Sequence, residues 1–255
     1  MDVILTAGGT PTLDDPLYSF SNGLPKAMIP IGEKPMIQWV LDALAGARTI
    51  RRIVMIGLAD EIQVNYPREM VRIEDQGGMV ENIIAGAQKL LSYNDSSQYA
   101  LIAASDVPAV TPEAIDWVSE QTVQLQKDMV YTVVSKPVME KRFPESKRSY
   151  IPLKDISICG GDINAINLTH VNYDNPMYRK LIDARKNALK QASLMGIDTL
   201  LLILFRAITL DQTEKKICKR LEVNGKVLPC PFAEIAMDVD KPGQLEMLRN
   251  DLVNL

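Results

Sequence analysis

The sequence predicts an α/β protein with three layers: a mostly parallel central sheet, helices on both sides, and a small antiparallel insertion. Three observations carry this. Val3–Leu5, Arg52–Gly57, Tyr99–Ala104 and Met129–Val134 are short apolar runs of the kind that form strands buried on both faces. Between them lie segments whose apolar residues recur at helical spacing. Strand and helix then alternate through the first half of the chain, the rhythm of a parallel sheet built from crossover units.

Taken in order, Val3-Ile4-Leu5 reads as the first buried strand. It runs into Ala7-Gly8-Gly9 and a long polar loop that closes on Pro25-Lys26-Ala27-Met28. Pro35 suits the first turn of a helix reaching about Arg48, with Met36, Ile37, Val40, Leu41 and Leu44 on one face. Arg52 to Gly57 is the second strand, and a third is expected around Met70 to Ile73. Gln76-Gly77-Gly78 opens a helix to about Leu91 whose apolar face is Val80, Ile83, Ile84, Ala87 and Leu91. Tyr99–Ala104 is a strand ending in Ser105-Asp106-Val107-Pro108. Thr111 as cap and Pro112 at the first position start the next helix, and Met129–Val134 is the strand after it.

From Ser135 to Leu168 the rhythm changes. Basic residues alternate with Glu140 and Glu145, and extended segments follow around Ile151–Ile158 and Ile163–Leu168. We read residues 135–170 as the antiparallel insertion, set within one domain spanning 1–255. Tyr173–Gln191, Leu194–Arg206 and Leu210–Leu221 read as helices, Ile235–Asp240 as a strand, and Pro242 starts a last helix. The uninterrupted apolar run Leu200–Phe205 is expected in the core. A self-association surface, hence a homo-oligomer, is the sharper alternative.

Composition removes several function classes. With 28 Lys and Arg against 32 Asp and Glu, the net charge is −4, which argues against a nucleic-acid partner. The three cysteines, Cys159, Cys218 and Cys230, form no Cys-x-x-Cys pair, so neither a zinc ribbon nor a redox motif is signalled. No apolar stretch approaches the roughly 20 residues of a membrane span, and the start lacks a signal peptide's basic and apolar regions. A soluble, cytoplasmic protein is expected. His170 is the only histidine and has no partner pattern for nucleophilic catalysis or zinc. Lys215, Lys216, Lys219 and Arg220 read as a solvated helix face.

Chemistry concentrates in the opening segment. Gly8 and Gly9 allow the backbone to approach a bulky ligand with its N–H groups exposed, and Lys26 adds a fixed positive charge after a stiffening proline. A glycine-rich loop with one lysine is a common phosphate-holding device. On its own, Gly-Gly after a strand is an ordinary turn. In open parallel sheets, however, ligands sit beyond the carboxyl ends of the strands. Both the Gly8-Gly9 turn and Asp106 fall at that edge.

These segments together resemble the nucleotidyltransferases of the nucleotide-diphospho-sugar transferase superfamily, molybdenum-cofactor guanylyltransferases among them. The family's opening strand, Leu-Ala-Ala-Gly-x-Gly and later Pro-Lys stand here as Leu5-Thr6-Ala7-Gly8-Gly9 and Leu24-Pro25-Lys26. Gly32-Glu33-Lys34-Pro35 is similar to its Gly-x-Lys-Pro, and Ser105-Asp106-Val107-Pro108 to its strand-end aspartate. Asp238-Val239-Asp240-Lys241-Pro242, with Leu245, is similar to its Asp-x-Asp-x-Pro-x-x-Leu. The chain departs from the pattern in its loop, which carries Asp14 and Asp15 and no arginine between Gly9 and Lys26.

The resemblance implies the nucleotide-diphospho-sugar transferase fold. It also implies Mg²⁺-dependent transfer of an NMP group from a nucleoside triphosphate to a phosphorylated small-molecule acceptor, with release of pyrophosphate. Lys26 is then the catalytic residue at the α-phosphate. Leu5, Ala7, Gly8 and Gly9 hold the nucleotide, and Gln76, Gly77, Gly78 and Asn82 read its base. Asp106 is a Mg²⁺ ligand. Asp238 and Asp240, two apart in an apparent strand, face the same way, so spacing does not choose between them; the resemblance ranks Asp240 first. Asp162 and Lys186, within Gly160–Asn164 and Arg185–Asn187, are the acceptor contacts. Two other readings remain at this point. One is a nucleotide-sugar-dependent glycosyltransferase, which typically has Asp-x-Asp where this chain has Asp106-Val107-Pro108. The other is a non-catalytic nucleotide-binding regulator.

Overall fold

The first strand, β1 (Asp2–Thr6), is buried along nearly its whole length, with Val3 and Leu5 facing one apolar layer and Ile4 the other. The structure is a computed structural model and describes residues 1–95, 97–184 and 194–253. After β1 come α1 (Tyr18–Ser21), a 3-10 turn at Lys26–Met28, the short strands β2 (Pro30–Ile31) and β3 (Lys34–Pro35), and α2 (Met36–Gly46). The alternating part continues with β4 (Arg52–Ile56), β5 (Glu69–Ile73), α3 (Met79–Leu91), β6 (Tyr99–Ala104), α4 (Pro112–Leu125) and β7 (Met129–Ser135). Then follow α5 (Lys136–Arg142), β8 (Ile151–Pro152), β9 (Ser157–Gly160), β10 (Ile163–Asn167) and α6 (Pro176–Ala184). The described chain ends with α7 (Ile197–Leu204), α8 (Leu210–Leu221), β11 (Gly225–Cys230), a 3-10 turn at Ala233–Ala236 and α9 (Pro242–Val253).

The main sheet runs β5-β4-β1-β6-β10-β7-β9-β8, and β11 pairs with β7. β5, β4, β1 and β6 are mutually parallel, as are β7 and β11, whereas β10 runs against both β6 and β7. This is the three-layer, mostly parallel sheet expected. Ile53, Met55, Leu101 and Ala103 join Val3 and Leu5 under Ile37, Val40, Leu41 and Leu44 of α2 and Ala114, Ile115 and Val118 of α4. Val54, Ile56 and Ala100 join Ile4 under Ile84, Ala87 and Leu90 of α3 and Met177 and Tyr178 of α6. Each fully buried aliphatic side chain contributes about 1.5–3 kcal/mol. Neither layer survives loss of several.

The antiparallel strands of the 135–170 segment are woven into this sheet. β10 lies between β6 and β7 with Ile163 opposite Ala103, while β9 runs against β7 and β8 against β9. β2 and β3 form a separate two-stranded antiparallel sheet.

Several expectations are corrected. Ile235–Asp240 is not a strand: Ala233–Ala236 makes a 3-10 turn, and the Val239 N–H donates to the Asp106 carbonyl at 3.0 Å. That bond lays the segment across the strand ends. β11 has no clear sequence signal, because Gly225 and Pro229 disguise it; it pairs with β7 alone, the edge position that tolerates proline. In α3 the inward residue of the last turn is Leu90, whereas Leu91 is 41% exposed. Leu200–Phe205 is only partly core. Leu202 and Ile203 pack near Leu153 and Ile208, but Leu201, Leu204 and Phe205 are exposed, together with Ile197. The helix expected over Tyr173–Gln191 starts at Pro176, and its portion beyond Ala184 lies outside the described residues.

Candidate active site

The site begins with two loops that pass backbone to backbone. Gly57, just after β4, has φ +88°, and a Cβ placed there would stand 2.7 Å from the Gly8 Cα. Only glycine fits. Gly9 has φ +101°, in the region where L side chains are strained, yet the space before it is open. Of the two carboxylates in the following loop, Asp14 is exposed, and Asp15 accepts from the Leu17 N–H at 2.8 Å. Asp15 is thus spent on the turn into α1.

Lys26 is tied to the glycine turn at its root: its backbone N–H donates to the Gly9 carbonyl at 2.9 Å. Its tip donates to two carboxylates, Asp106 Oδ2 and Asp240 Oδ1, each at 2.7 Å. Burial works against the charged form, but Asp106 and Asp240 outweigh it and raise the lysine above its ordinary pKa. Lys26 is therefore an ammonium at neutral pH.

The two candidate aspartates of the C-terminal segment separate, since no strand holds them in register. Asp240 reaches Lys26 and is half exposed, with its own N–H donating to Gln244 Oε1 at 2.9 Å. Asp238 turns to an ion pair with Arg148, both side chains 14% exposed. Arg148 has no counterpart among the residues singled out from sequence, because a lone arginine in a basic run carries no spacing signal.

Asp162 stands at the break between β9 and β10. Its N–H donates to the Ile235 carbonyl at 2.7 Å, and its carbonyl accepts from Ala104 N–H at 3.1 Å. Side-chain Oδ2 is buried without a hydrogen-bond partner. Burial, and then the nearby charge of Asp106, push this carboxyl up to about 7.

A cleft of about 390 Å³ brings Gly8, Gly9, Lys26, Gly77, Gly78, Asn82, Asp106 and Asp162 together, with Thr6, Asp75, Met79, Ala104 and Ser105. For Asp75 the only sequence signal is its place beside the glycine turn. Asn82 holds the turn in place: its Oδ1 accepts from the Gln76 N–H and its Nδ2 donates to Asp75, both at 2.7 Å. The Gln76 side chain bends back to the Glu74 carbonyl at 2.8 Å and is not part of the cleft lining. Leu5 and Ala7 are fully buried in the core beneath the cleft rather than in its wall. Arg185, Lys186 and Asn187 lie outside the described residues.

Among the described residues no three acidic, histidine or cysteine groups converge as a ready-made metal cluster. Asp106 and Asp240 do converge on one cation, the Lys26 ammonium. Two hard carboxylate donors, with phosphate oxygens and water completing the shell, fit Mg²⁺.

Residues 3–218 match the family model of the MobA-like NTP transferase domain. The chain belongs to this family. It is accordingly a nucleotidyltransferase. A hypothetical transferase from Thermus thermophilus is similar in structure, with 29% identity, a TM-score of 0.81, and coverage of 96% of this chain and 98% of that one. The 2-C-methyl-D-erythritol 4-phosphate cytidylyltransferase of Thermus thermophilus shares the fold at 12% identity and TM-score 0.57, over the full length of both chains. So does the molybdopterin-guanine dinucleotide biosynthesis protein A of Archaeoglobus fulgidus, at 16% identity and TM-score 0.51, again over both full lengths. A comparison with curated proteins finds no match. Among the described residues of this MobA-like transferase, no helix is long and apolar enough to cross a membrane.

Proposed function

We propose that the protein transfers an NMP group from a nucleoside triphosphate to a phosphorylated small-molecule acceptor, in a Mg²⁺-dependent reaction that releases pyrophosphate. What carries this reading is the single lysine held 2.7 Å from each of two carboxylates in a cleft floored by glycine turns. An acceptor phosphate oxygen attacks the α-phosphorus in line, the bond to the β-phosphate oxygen breaks, and pyrophosphate leaves. The nucleophile is already an anion, so no general base is required, and charge accumulation is the obstacle. This suits a cleft with no histidine in its lining.

Lys26 neutralises charge on the α-phosphate. Gly8 and Gly9 present backbone N–H groups to the phosphates, and Gly77 and Gly78 offer backbone edges to the base. Asn82 acts by positioning this second turn. Asp106 and Asp240 would hold Mg²⁺, which when bound supplies charge neutralisation and orientation of phosphate oxygens. Asp162, in the cleft lining, contacts the acceptor, with the 135–170 segment forming that side of the site; Lys186, outside the described residues, is proposed as a second acceptor contact on the sequence alone. Three free cysteines support a reducing, cytoplasmic setting. Pyrophosphate release, assayed with each of the four NTPs against a panel of phosphorylated acceptors, tests the reading. One NTP with one acceptor should release pyrophosphate above background only when Mg²⁺ is present; none above background in any combination contradicts it.

A further inference from the structure

Lys26 occupies the point where a cation bound by Asp106 and Asp240 would sit. Asp106 Oδ2 and Asp240 Oδ1 each lie 2.7 Å from the same Nζ, so both oxygens aim at one centre. A Mg²⁺ ion holds carboxylate oxygens at about 2.0–2.1 Å, and a bridging ion between these two would displace the ammonium. Two cations at such a separation repel, whereas two carboxylates without either repel as strongly. Asp162, with its unpartnered buried Oδ2 in the same cleft, adds a third negative neighbour when ionised.

The anchoring of Lys26 allows an exchange. Its backbone is pinned through the Gly9 carbonyl, while the flexible four-carbon stem leaves the ammonium free to move. Gly8 and Gly9 line the same cleft. The tip can therefore leave the carboxylates for a phosphate group over the glycine turn without any loop rearranging.

We infer that Lys26 is the built-in counter-cation of the free enzyme, filling the divalent-cation position between Asp106 and Asp240 and ceding it only when the nucleotide's phosphates offer the ammonium a new partner. It rests on the reading of Asp106 and Asp240 as metal ligands. The free protein then binds a divalent cation poorly by itself. Cation and nucleotide each tighten the binding of the other, by the same factor. Removal of the Lys26 charge has opposite effects on the two ligands: tighter metal, weaker nucleotide. A lysine of purely structural use would not split them.

The test is Mn²⁺ binding followed by the EPR signal of the free ion, with each NTP and without, on the full-length protein. Wild type is compared with Lys26→Met, Lys26→Gln and the double variant Lys26→Met/Asp240→Asn. In the absence of nucleotide, both single variants should bind Mn²⁺ about tenfold more tightly than wild type, within the usual range of coupling between sites. The double variant should lose that gain. Both single variants should also melt at lower temperature than wild type in EDTA and recover more on adding Mn²⁺. Equal or weaker Mn²⁺ binding by the folded single variants overturns the counter-cation role alone. No Mn²⁺ uptake by any of the proteins, with nucleotide or without, overturns it together with the metal-site reading beneath it.

Discussion

Lys26 Nζ and Asp240 Oδ1 lie 2.7 Å apart although 214 positions separate them in the sequence. The contact joins the first glycine turn to the segment before α9, so Lys26 gains its second carboxylate partner only when that segment has folded across the strand ends. Lys26→Ala should lower kcat/KM for nucleotidyl transfer by about 10²–10³, the scale of losing one transition-state charge partner. Its far-UV circular dichroism should match wild type. Lys26→Arg should not restore full rate, because the guanidinium is a planar fork rather than a compact point charge.

Asp238 and Asp240 should behave differently despite their shared motif. Asp240 is 56% exposed on its side chain, so Asp240→Asn should leave urea stability nearly unchanged and raise the Mg²⁺ concentration needed for half-maximal rate. Asp238→Asn strands Arg148, which is only 14% exposed. Breaking such a pair on one side costs about 3–5 kcal/mol when fully buried, and somewhat less is expected here. Urea unfolding of both variants decides the matter: equal losses would contradict the division of roles.

Gly57→Ala should be the costlier of two glycine substitutions. A Cβ at Gly57 meets the Gly8 Cα at 2.7 Å on top of a φ of +88°, whereas one at Gly9 meets nothing within 4 Å. Positive-φ strain alone costs about 1–2 kcal/mol, so Gly9→Ala should lose that much and Gly57→Ala more. Gly57→Ala should also raise the KM for the nucleotide by pushing Gly8 out of place. Thermal unfolding and initial rates measure both effects.

The pH dependence of stability should carry the mark of Asp162. Its folded pKa is raised from 3.8 to about 7, so the proton is bound more tightly in the folded state. The resulting stability is complete below pH 3.8 and is lost as pH rises through 7. In EDTA, Asp162→Asn should exceed wild type by on the order of 1–3 kcal/mol at pH 8 and by little near pH 4. Urea titrations at the two pH values provide the comparison. A wild-type advantage at pH 8 would contradict the raised carboxyl.

Legibility followed periodicity. Tyr99–Ala104 and Leu210–Leu221 are found with the bounds read from sequence, because an unbroken apolar run and a clean helical face leave no competing assignment. Ile235–Asp240 reads as a strand by its apolar alternation, but a single long-range bond, Val239 N–H to the Asp106 carbonyl, sets its path. β11 is hidden by Pro229, which only an edge position tolerates. In the candidate site, Gly8, Gly9, Lys26 and Asp106 carry sequence signals, since a glycine turn and a strand-end carboxylate are local features. Asp75 and Arg148 do not stand out in the same way, because what places them is the packing of distant loops.

The most direct measurement is transfer of radioactive phosphorus from the α-position of each NTP to a phosphorylated acceptor, under single-turnover conditions with Mg²⁺. Label should reach the acceptor with one of the four NTPs, at a rate reduced about a hundredfold or more in Lys26→Ala. Label that never reaches an acceptor, or transfer at an unchanged rate in Lys26→Ala, would contradict the assignment of this cleft to nucleotidyl transfer.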